Sequence, residues 1–258
     1  MTQTLVLIAL YILVQLFISL WAARFINNSR DFMLAGQSIG LGVALFSLFA
    51  TWFGAETLMG TAADVAQHGL IATRGDPLGY GLCLALMGLL VAYQLRQRSY
   101  TTVSDFYRDR FCDRTSFVVT LVMLPTSLLW AATQFLAFGY VLAAVTQASI
   151  ASIMPLAAGL IVAYTLCGGL LGDVSNDMLR GSVLIIGLLI TVIFVALKAG
   201  GAVESFNYIK ETQLTLTDPG ESFLTTLDAW MVPILGSLVA QEALSRLLAT
   251  SAAKTARR

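Results

Sequence analysis

Residues 46–60 combine an apolar segment with polar side chains that suit an ion or a small solute. The sequence FSLFATWFGAETLMG is apolar enough to enter a bilayer, yet it places Glu56 and Thr57 between Gly54 and Gly60. A charged side chain at membrane depth costs about 2.5–3.5 kcal/mol on insertion scales, so it usually faces a partner or a wet cavity. These residues predict a helix that breaks and exposes backbone carbonyls along a cavity, as in membrane transporters. The alternative is a kinked span with a snorkelling glutamate.

Other residue types that carry chemistry are scarce and scattered. The three cysteines, Cys83, Cys112 and Cys167, lack metal-binding spacing, and His68 stands alone. Buried free thiols and a solvated histidine are the usual interpretation of such residues. No nucleophile–base pair or phosphate-binding loop stands out, so the sequence predicts neither an enzyme nor a bound cofactor.

The composition indicates a protein that crosses a membrane several times. The 258 residues are 57% hydrophobic and 12% charged, with a mean hydropathy of +0.80. A soluble domain of this length cannot bury so much apolar surface. A spanning helix needs about 20 apolar residues. The segments that meet this rule are Leu5–Phe25, Leu41–Ala63, Leu78–Leu95, Phe117–Val145, Ile150–Leu171, Met178–Leu197 and Leu227–Leu248.

The sequence therefore predicts an all-α polytopic membrane protein with about seven transmembrane helices. The fourth span is overlong, and we expect Pro125 to kink it. The seventh contains Pro233 and Gly236, which predict a second broken helix. The first span lacks the basic start and small-residue cleavage site of a signal peptide. Continuous rather than alternating apolar runs exclude a transmembrane β-barrel.

Basic residues predict the orientation in the membrane. Twelve arginines and lysines fall in one set of alternate loops and tails, and three fall in the other. The positive-inside rule then places the N-terminus outside and the C-terminus in the cytoplasm. The expected location of the protein is the inner (plasma) membrane. A net charge of zero gives no sign of nucleic-acid binding. The inside set is Arg24, Arg30, Arg96, Arg98, Arg108, Arg110, Arg114, Arg180, Arg246, Lys254, Arg257 and Arg258, and the outside set is Arg74, Lys198 and Lys210.

Four stretches of the sequence resemble the sodium:solute symporter family. Arg30–Gly60 is similar to the family's entry motif and broken helix, and Tyr164–Asp177, YTLCGGLLGDVSND, to its YT-x-x-GG motif. Gln241–Arg258, QEALSRLLATSAAKTARR, is similar to its Q-x-x-x-x-R-x-L-A-A-K loop, and Thr101–Phe111 is a weaker match. Together these stretches extend along almost the whole chain in the family's order.

The resemblance implies the inverted-repeat fold named after the leucine transporter. In that fold residues 1–40 would form an extra first helix and an inside loop, and residues 41–199 the first five-helix repeat. Residues 200–258 would form an outside loop, the first helix of the second repeat and an inside tail. We therefore expect a single transmembrane domain over residues 1–258 that represents an N-terminal half. We also expect no sodium-driven uptake by this chain alone.

The resemblance also implies ligands for sodium. The family's conserved site takes two backbone carbonyls from the break in its second span, which correspond to Ala50 and Phe53, and hydroxyls from a later helix. Asp177 corresponds to an aspartate near the cytoplasmic sodium exit, and we expect it in an inside loop. An ordinary loop residue, or a surface pair between Asp177 and Arg180, is the alternative. The family usually has alanine and valine at Gly172 and Asp173, and glutamine at Arg180.

The residues that correspond to the family's solute site differ from those of known subgroups. Trp52, Thr57 and Pro233 stand where sugar symporters have hydrogen-bonding side chains, and Gly236 stands where they have an aromatic gate. Some proline symporters have an aspartate at the position of Trp52, so neither a hexose nor proline is expected.

Two carboxylates favour a different kind of solute. Asp76 and Tyr80 open the third span, where the family also lines its solute cavity. Asp76 together with Glu56 favours a cationic or amine-bearing solute. A cap on the third span is the commoner role of an aspartate before proline.

The sequence thus predicts sodium-coupled symport of a small organic solute by alternating access. The expected partners are a sodium ion as coupling ion, the solute and the lipid bilayer, with a second chain as one source of the remaining helices. A symporter-like sensor module of a signalling protein, or an inactive fragment, is the alternative.

Overall fold

The structure, a computed structural model, describes residues 2–54, 56–201, 203–204, 214–218 and 220–257. Within these residues the regular structure is helical, and an isolated parallel bridge between Ile39 and Thr250 is the only strand-like pairing. The helices are α1 Thr2–Ala23, α2 Ser29–Leu34, α3 Leu41–Trp52, α4 Ala62–His68, α5 Tyr80–Leu86, α6 Tyr93–Gln97, α7 Val103–Arg110, α8 Asp113–Thr146, α9 Ile150–Lys198, α10 Phe223–Ser237, α11 Gln241–Leu248 and α12 Ala253–Arg257.

Long apolar helices confirm the predicted fold class, an all-α polytopic membrane protein. Four helical stretches in the described residues are long and apolar enough to cross a membrane: Gln3–Ala23, Thr57–Gln97, Asp113–Thr146 and Ile150–Lys198. A fifth results if α10 and α11 count as one broken span. The number of seven spans remains a prediction.

Helix α9 covers two of the predicted spans and the loop expected between them. Its 49 residues would measure about 74 Å if straight, more than twice the thickness of the hydrocarbon core. The backbone leaves helical geometry at Gly169, with φ 51° and ψ −154°. The loop predicted between Leu171 and Met178 is wrong, because those residues continue the helix after this break.

The predicted interruption of the second span is present. Helix α3 ends at Trp52, and Phe53 and Gly54 form a bend. A π-helical turn over Glu56–Thr61 then leads into α4. Wider turns of this kind leave some carbonyls without the usual i to i−4 partner and are frequent at functional sites.

The predicted seventh span is broken as well, but at a different place. Helix α10 continues through Pro233 and Gly236 to Ser237, and the break lies at Leu238–Ala240. A proline removes one backbone hydrogen bond, which a helix tolerates when its neighbours remain paired. Helix α8 likewise continues through Pro125.

The described chain divides into two compact units, each considered by itself. The first comprises Met1–Thr51, Ala92–Met178 and Gln241–Arg258, and the second Trp52–Val91 and Leu179–Ala240. The first unit contains a small apolar core of Ala35, Ile39, Ala44, Val174 and Ala249. This core adjoins the segment of α9 that carries Asp173 and Asp177.

Candidate functional site

In the second unit, Asp76 lies at the centre of a polar cluster within an apolar stretch of chain. One carboxylate oxygen, Oδ2, accepts hydrogen bonds from Thr57 Oγ1 (2.5 Å) and Thr61 Oγ1 (2.9 Å). The two threonines are four residues apart and face the same way from the π-helical turn. The other oxygen, Oδ1, has no hydrogen-bond partner among the described residues.

The backbone explains how residues 57 and 76 come together. The chain turns at Gly69, whose φ of 76° suits glycine, and a 3-10 turn over Gly69–Arg74 follows. Asp76 itself is extended, with φ −131° and ψ 121°. It thus acts as an acceptor for two side chains and does not cap α5, whose start has no side-chain cap.

Two aromatic rings lie near this cluster along the chain. Trp52 ends α3 and Tyr80 begins α5, and their ring centroids are 4.9 Å apart in an edge-to-face arrangement. Both side chains are partly exposed. Tyr80 is four residues from Asp76, and Trp52 is four residues from Glu56. Because aromatic faces attract organic cations, this pair together with a carboxylate suits an ammonium group.

Two other residues were predicted to line the solute site, and only one of them packs against a neighbour. Pro233 packs against Gly79, where an added Cβ would lie 2.8 Å from Pro233 Cγ and 2.5 Å from the Arg74 carbonyl oxygen. Gly236 is exposed, and an added Cβ there would meet nothing within 4 Å. The Glu56 side chain lies outside the described part of the structure.

An ion pair between Arg74 and Glu221 joins distant parts of the second unit. Arg74 Nη1 donates to both carboxylate oxygens of Glu221, at 2.8 and 3.0 Å. The two side chains are 12% and 9% exposed. The hydrogen bond from the guanidinium lowers the pKa of the Glu221 carboxyl, so this residue stays ionised at neutral pH.

In the first unit, Arg246 on α11 pairs with two aspartates of α9. Arg246 Nη2 donates to Asp173 Oδ2 at 2.7 Å and to Asp177 Oδ2 at 3.0 Å. Ser47 on α3 donates to Asp177 and accepts a bond from Arg246 Nε at 2.9 Å. The guanidinium is also bonded to the carbonyl of Glu242. This cluster connects three helices through one buried positive charge.

The structure corrects the predicted surroundings of Asp177. The residue is 1% exposed and helical, not part of an inside loop. Asp173 and Asp177 are four residues apart and therefore point from the same helix face toward Arg246. Asp173 is 25% exposed in its side chain and lines an open cavity of about 780 Å³ beside Thr165 and Gln241.

The two carbonyls predicted to hold sodium belong to residues on either side of the end of α3. Ala50 lies in its last turn and Phe53 in the bend that follows. Because the last four carbonyls of a helix have no partner within that helix, the Ala50 carbonyl has capacity to accept a ligand.

Sequence reasoning missed Thr61, Asp173, Arg246 and Glu221 as site residues. The spacing of four between Thr57 and Thr61, and between Asp173 and Asp177, was a usable signal on a helix. The pairs with Arg246 and Glu221 were not predictable, because their partners are 69 and 147 residues away.

Comparison with known proteins gives the family. The sequence profile of the sodium:solute symporter family matches residues 32–258. The chain belongs to this family. As a member of a family of transporters, it is a multi-pass membrane protein and not an enzyme.

The similar proteins include choline and proline transporters. High affinity choline transporter 1 from Homo sapiens is 28% identical over 263 residues, which cover 97% of this chain and 45% of the relative. A Drosophila melanogaster protein of the same name is 32% identical over 185 residues, or 70% of this chain and 30% of the relative. The sodium/proline symporter of Escherichia coli is 26% identical over 225 residues, or 84% and 45%. The chain spans less than half the length of these relatives.

Proposed function

We propose that this chain takes part in sodium-coupled symport of a small cationic organic solute, and that Asp76 is the counter-charge for that solute. The observation that carries the proposal is the carboxylate of Asp76. Two threonine hydroxyls bond its Oδ2, while Oδ1 has no partner among the described residues. Fixing one oxygen orients the carboxylate and leaves the other oxygen for a ligand.

The neighbouring side chains favour an ammonium group. A cation over an aromatic face gains about 0.5–2 kcal/mol, and Trp52 and Tyr80 supply two such faces. An uncharged hexose would require hydrogen-bonding side chains at the positions of Trp52 and Pro233. The names of the choline transporter relatives agree with a cationic solute, and choline is the probe that follows from them.

Sodium ligands are proposed at the end of α3. The carbonyls of Ala50 and Phe53 are hard oxygen donors, which suit a small hard cation. Asp177 would assist the cation nearer the cytoplasmic face, but in the described structure Arg246 and Ser47 already bond its Oδ2. We place the N-terminus outside, the C-terminus in the cytoplasm and the protein in the plasma membrane.

The rival function is a membrane sensor that binds the same solute without moving it. Binding alone does not separate the two functions, whereas sodium dependence does, because a symporter couples the two ligands. Uptake by liposomes that contain this chain together with a chain that supplies the remaining helices then distinguishes transport from sensing.

The test measures binding of radiolabelled choline to the purified chain in lipid nanodiscs. We expect saturable binding that Asp76→Asn weakens at least about tenfold, because the variant removes the carboxylate charge of Asp76 from the ammonium group. Asp64→Asn is the matched control, since Asp64 is exposed on α4 and forms no ion pair among the described residues.

A comparison of sodium and potassium salts tests the second part of the proposal, which is the coupling of solute binding to sodium. We expect tighter choline binding in sodium chloride than in potassium chloride at the same ionic strength. Equal binding in the two salts would overturn sodium coupling and leave the solute site standing. Absence of saturable choline binding, or equal loss in Asp76→Asn and Asp64→Asn, would overturn the solute site.

A further inference from the structure

Arg74 is the basic residue closest in sequence to Asp76. A pair between these two residues would block the proposed solute site. Only Gly75 separates the two residues, so their Cα atoms are within about 7 Å of each other. An arginine side chain at that distance can reach a carboxylate and form a charge-assisted pair. A neutralised Asp76 would lose its attraction for a cationic solute, and the guanidinium would also repel that solute.

The structure shows Arg74 occupied elsewhere. Its Nη1 bonds both oxygens of Glu221, and its Nε donates to the carbonyl of Ile71 at 3.2 Å. No ion pair joins Arg74 and Asp76 within the part of the chain that the structure describes. The guanidinium is held on Glu221 even though Asp76 is much closer in sequence.

We propose that Glu221 is a specificity-determining residue that withholds Arg74 from Asp76 and so preserves a negative charge for a cationic solute. The inference rests on the proposed function, because it assigns Glu221 to the same site. Glu221 does not itself touch the solute. It acts through Arg74, and is therefore a positioning residue.

The local structure supports this division of partners. Glu221 directly precedes Ser222, which caps α10, so its backbone is fixed by the start of that helix. The Gly79–Pro233 contact packs the segment after Asp76 against the same helix. Glu221 is consequently held where Arg74 can reach it, and the 9% exposure of its side chain limits screening by water.

The proposal makes the two members of one ion pair behave differently when mutated. We expect Glu221→Gln to weaken choline binding at least about tenfold, because the released guanidinium pairs with Asp76. Arg74→Gln should bind choline as well as the unmodified chain or better. The double variant Arg74→Gln/Glu221→Gln should recover affinity to within about threefold, since the competing cation is gone.

A purely structural ion pair gives the opposite pattern. In that case Arg74→Gln and Glu221→Gln weaken binding to the same extent, and the double variant does not recover. That pattern would overturn the proposal. Glu204→Gln is the matched control, since this carboxylate is exposed and forms no ion pair in the described residues.

A second measurement works without any ligand. Thermal unfolding of Arg74→Gln, Asp76→Asn and their combination gives the coupling between these residues by a double-mutant cycle. We expect no coupling in the unmodified background and a clear stabilising coupling in the Glu221→Gln background. Absence of coupling in both backgrounds would overturn the inference. If the unmodified chain binds no choline but the coupling appears, the proposed function fails and the control of Arg74 by Glu221 stands.

Discussion

In the described residues, one buried arginine pairs with two aspartates. Arg246, 8% exposed in its side chain, meets two carboxylates that differ in their surroundings. Asp177 is 2% exposed in its side chain and also bonds Ser47, whereas Asp173 is 25% exposed and borders a cavity. Both carboxylates thus pair with the same guanidinium in the part of the chain that the structure describes. Removing one of them should therefore have a cost that depends on its burial.

We expect Asp177→Asn to destabilise the chain by about 3–5 kcal/mol, as is typical when one partner of a buried ion pair is removed. Asp173→Asn should cost about 1 kcal/mol or less, because this carboxylate is partly solvated and Arg246 keeps Asp177. Unfolding in detergent by heat or denaturant measures the order. Asp64→Asn, on an exposed surface, is the control, and equal losses for the two cluster variants would contradict the argument.

At the scale of elements, Gly169 allows α9 to lie close to the residues that pack against it. Gly169 has a positive φ of 51°, and an added Cβ would lie 2.7 Å from the carbonyl oxygen of Phe32 and 2.8 Å from its ring. Gly168, beside it, approaches the backbone of Ser19 on α1. The sequence motif at residues 168–169 is thus both a helix break and a close contact. The break and the packing are the same feature.

We expect Gly169→Ala to destabilise the chain by about 2 kcal/mol or more, from the strained φ and the overlap with Phe32. Gly159→Ala is a control in the same helix, since nothing lies within 4 Å of its added Cβ. That variant should be neutral or stabilising by up to about 1 kcal/mol. Thermal unfolding compares the two, and a similar loss for both would show that the break tolerates an ordinary side chain.

The breaks in the spans were only partly predictable from sequence. Gly54 beside polar residues predicted the break after α3, because glycines and hydroxyls weaken a helix locally. The second break was expected at Pro233 and Gly236 but lies at Leu238–Ala240, since the helix absorbs the proline. Local composition predicts that a helix breaks more reliably than where it does, because packing selects the position.

For the whole molecule, composition predicted the class of protein, an integral membrane protein. Hydrophobic periodicity could not predict which side chains come into contact. An apolar chain with few charges must be a membrane protein, whatever its topology. The meeting of Thr57 and Asp76 depends on the turn at Gly69 and an extended Asp76, which no periodic pattern encodes. The end of a helix was also predicted wrongly from local composition. The polar side chains of residues 172–177 suggested a loop, but α9 continues through them.

The orientation of the whole molecule is the prediction most open to direct test. Helix α7 begins with a capping box of Thr102 and Asp105 and carries exposed arginines at 108 and 110. These belong to the loop set that holds twelve of the fifteen basic residues, so the positive-inside rule places α7 in the cytoplasm. Val203, exposed in the other loop set, should then be extracellular.

Two single-cysteine variants, Arg110→Cys and Val203→Cys, report these positions in a background without Cys83, Cys112 and Cys167. Arg110 is a better reporter than Ser104, whose hydroxyl bonds Thr120 at 2.7 Å. In intact cells an impermeant maleimide should label Val203→Cys, and Arg110→Cys should react only after permeabilisation. Because both positions are exposed in the structure, burial cannot explain a difference between them. Strong labelling of Arg110→Cys in intact cells would contradict the predicted orientation.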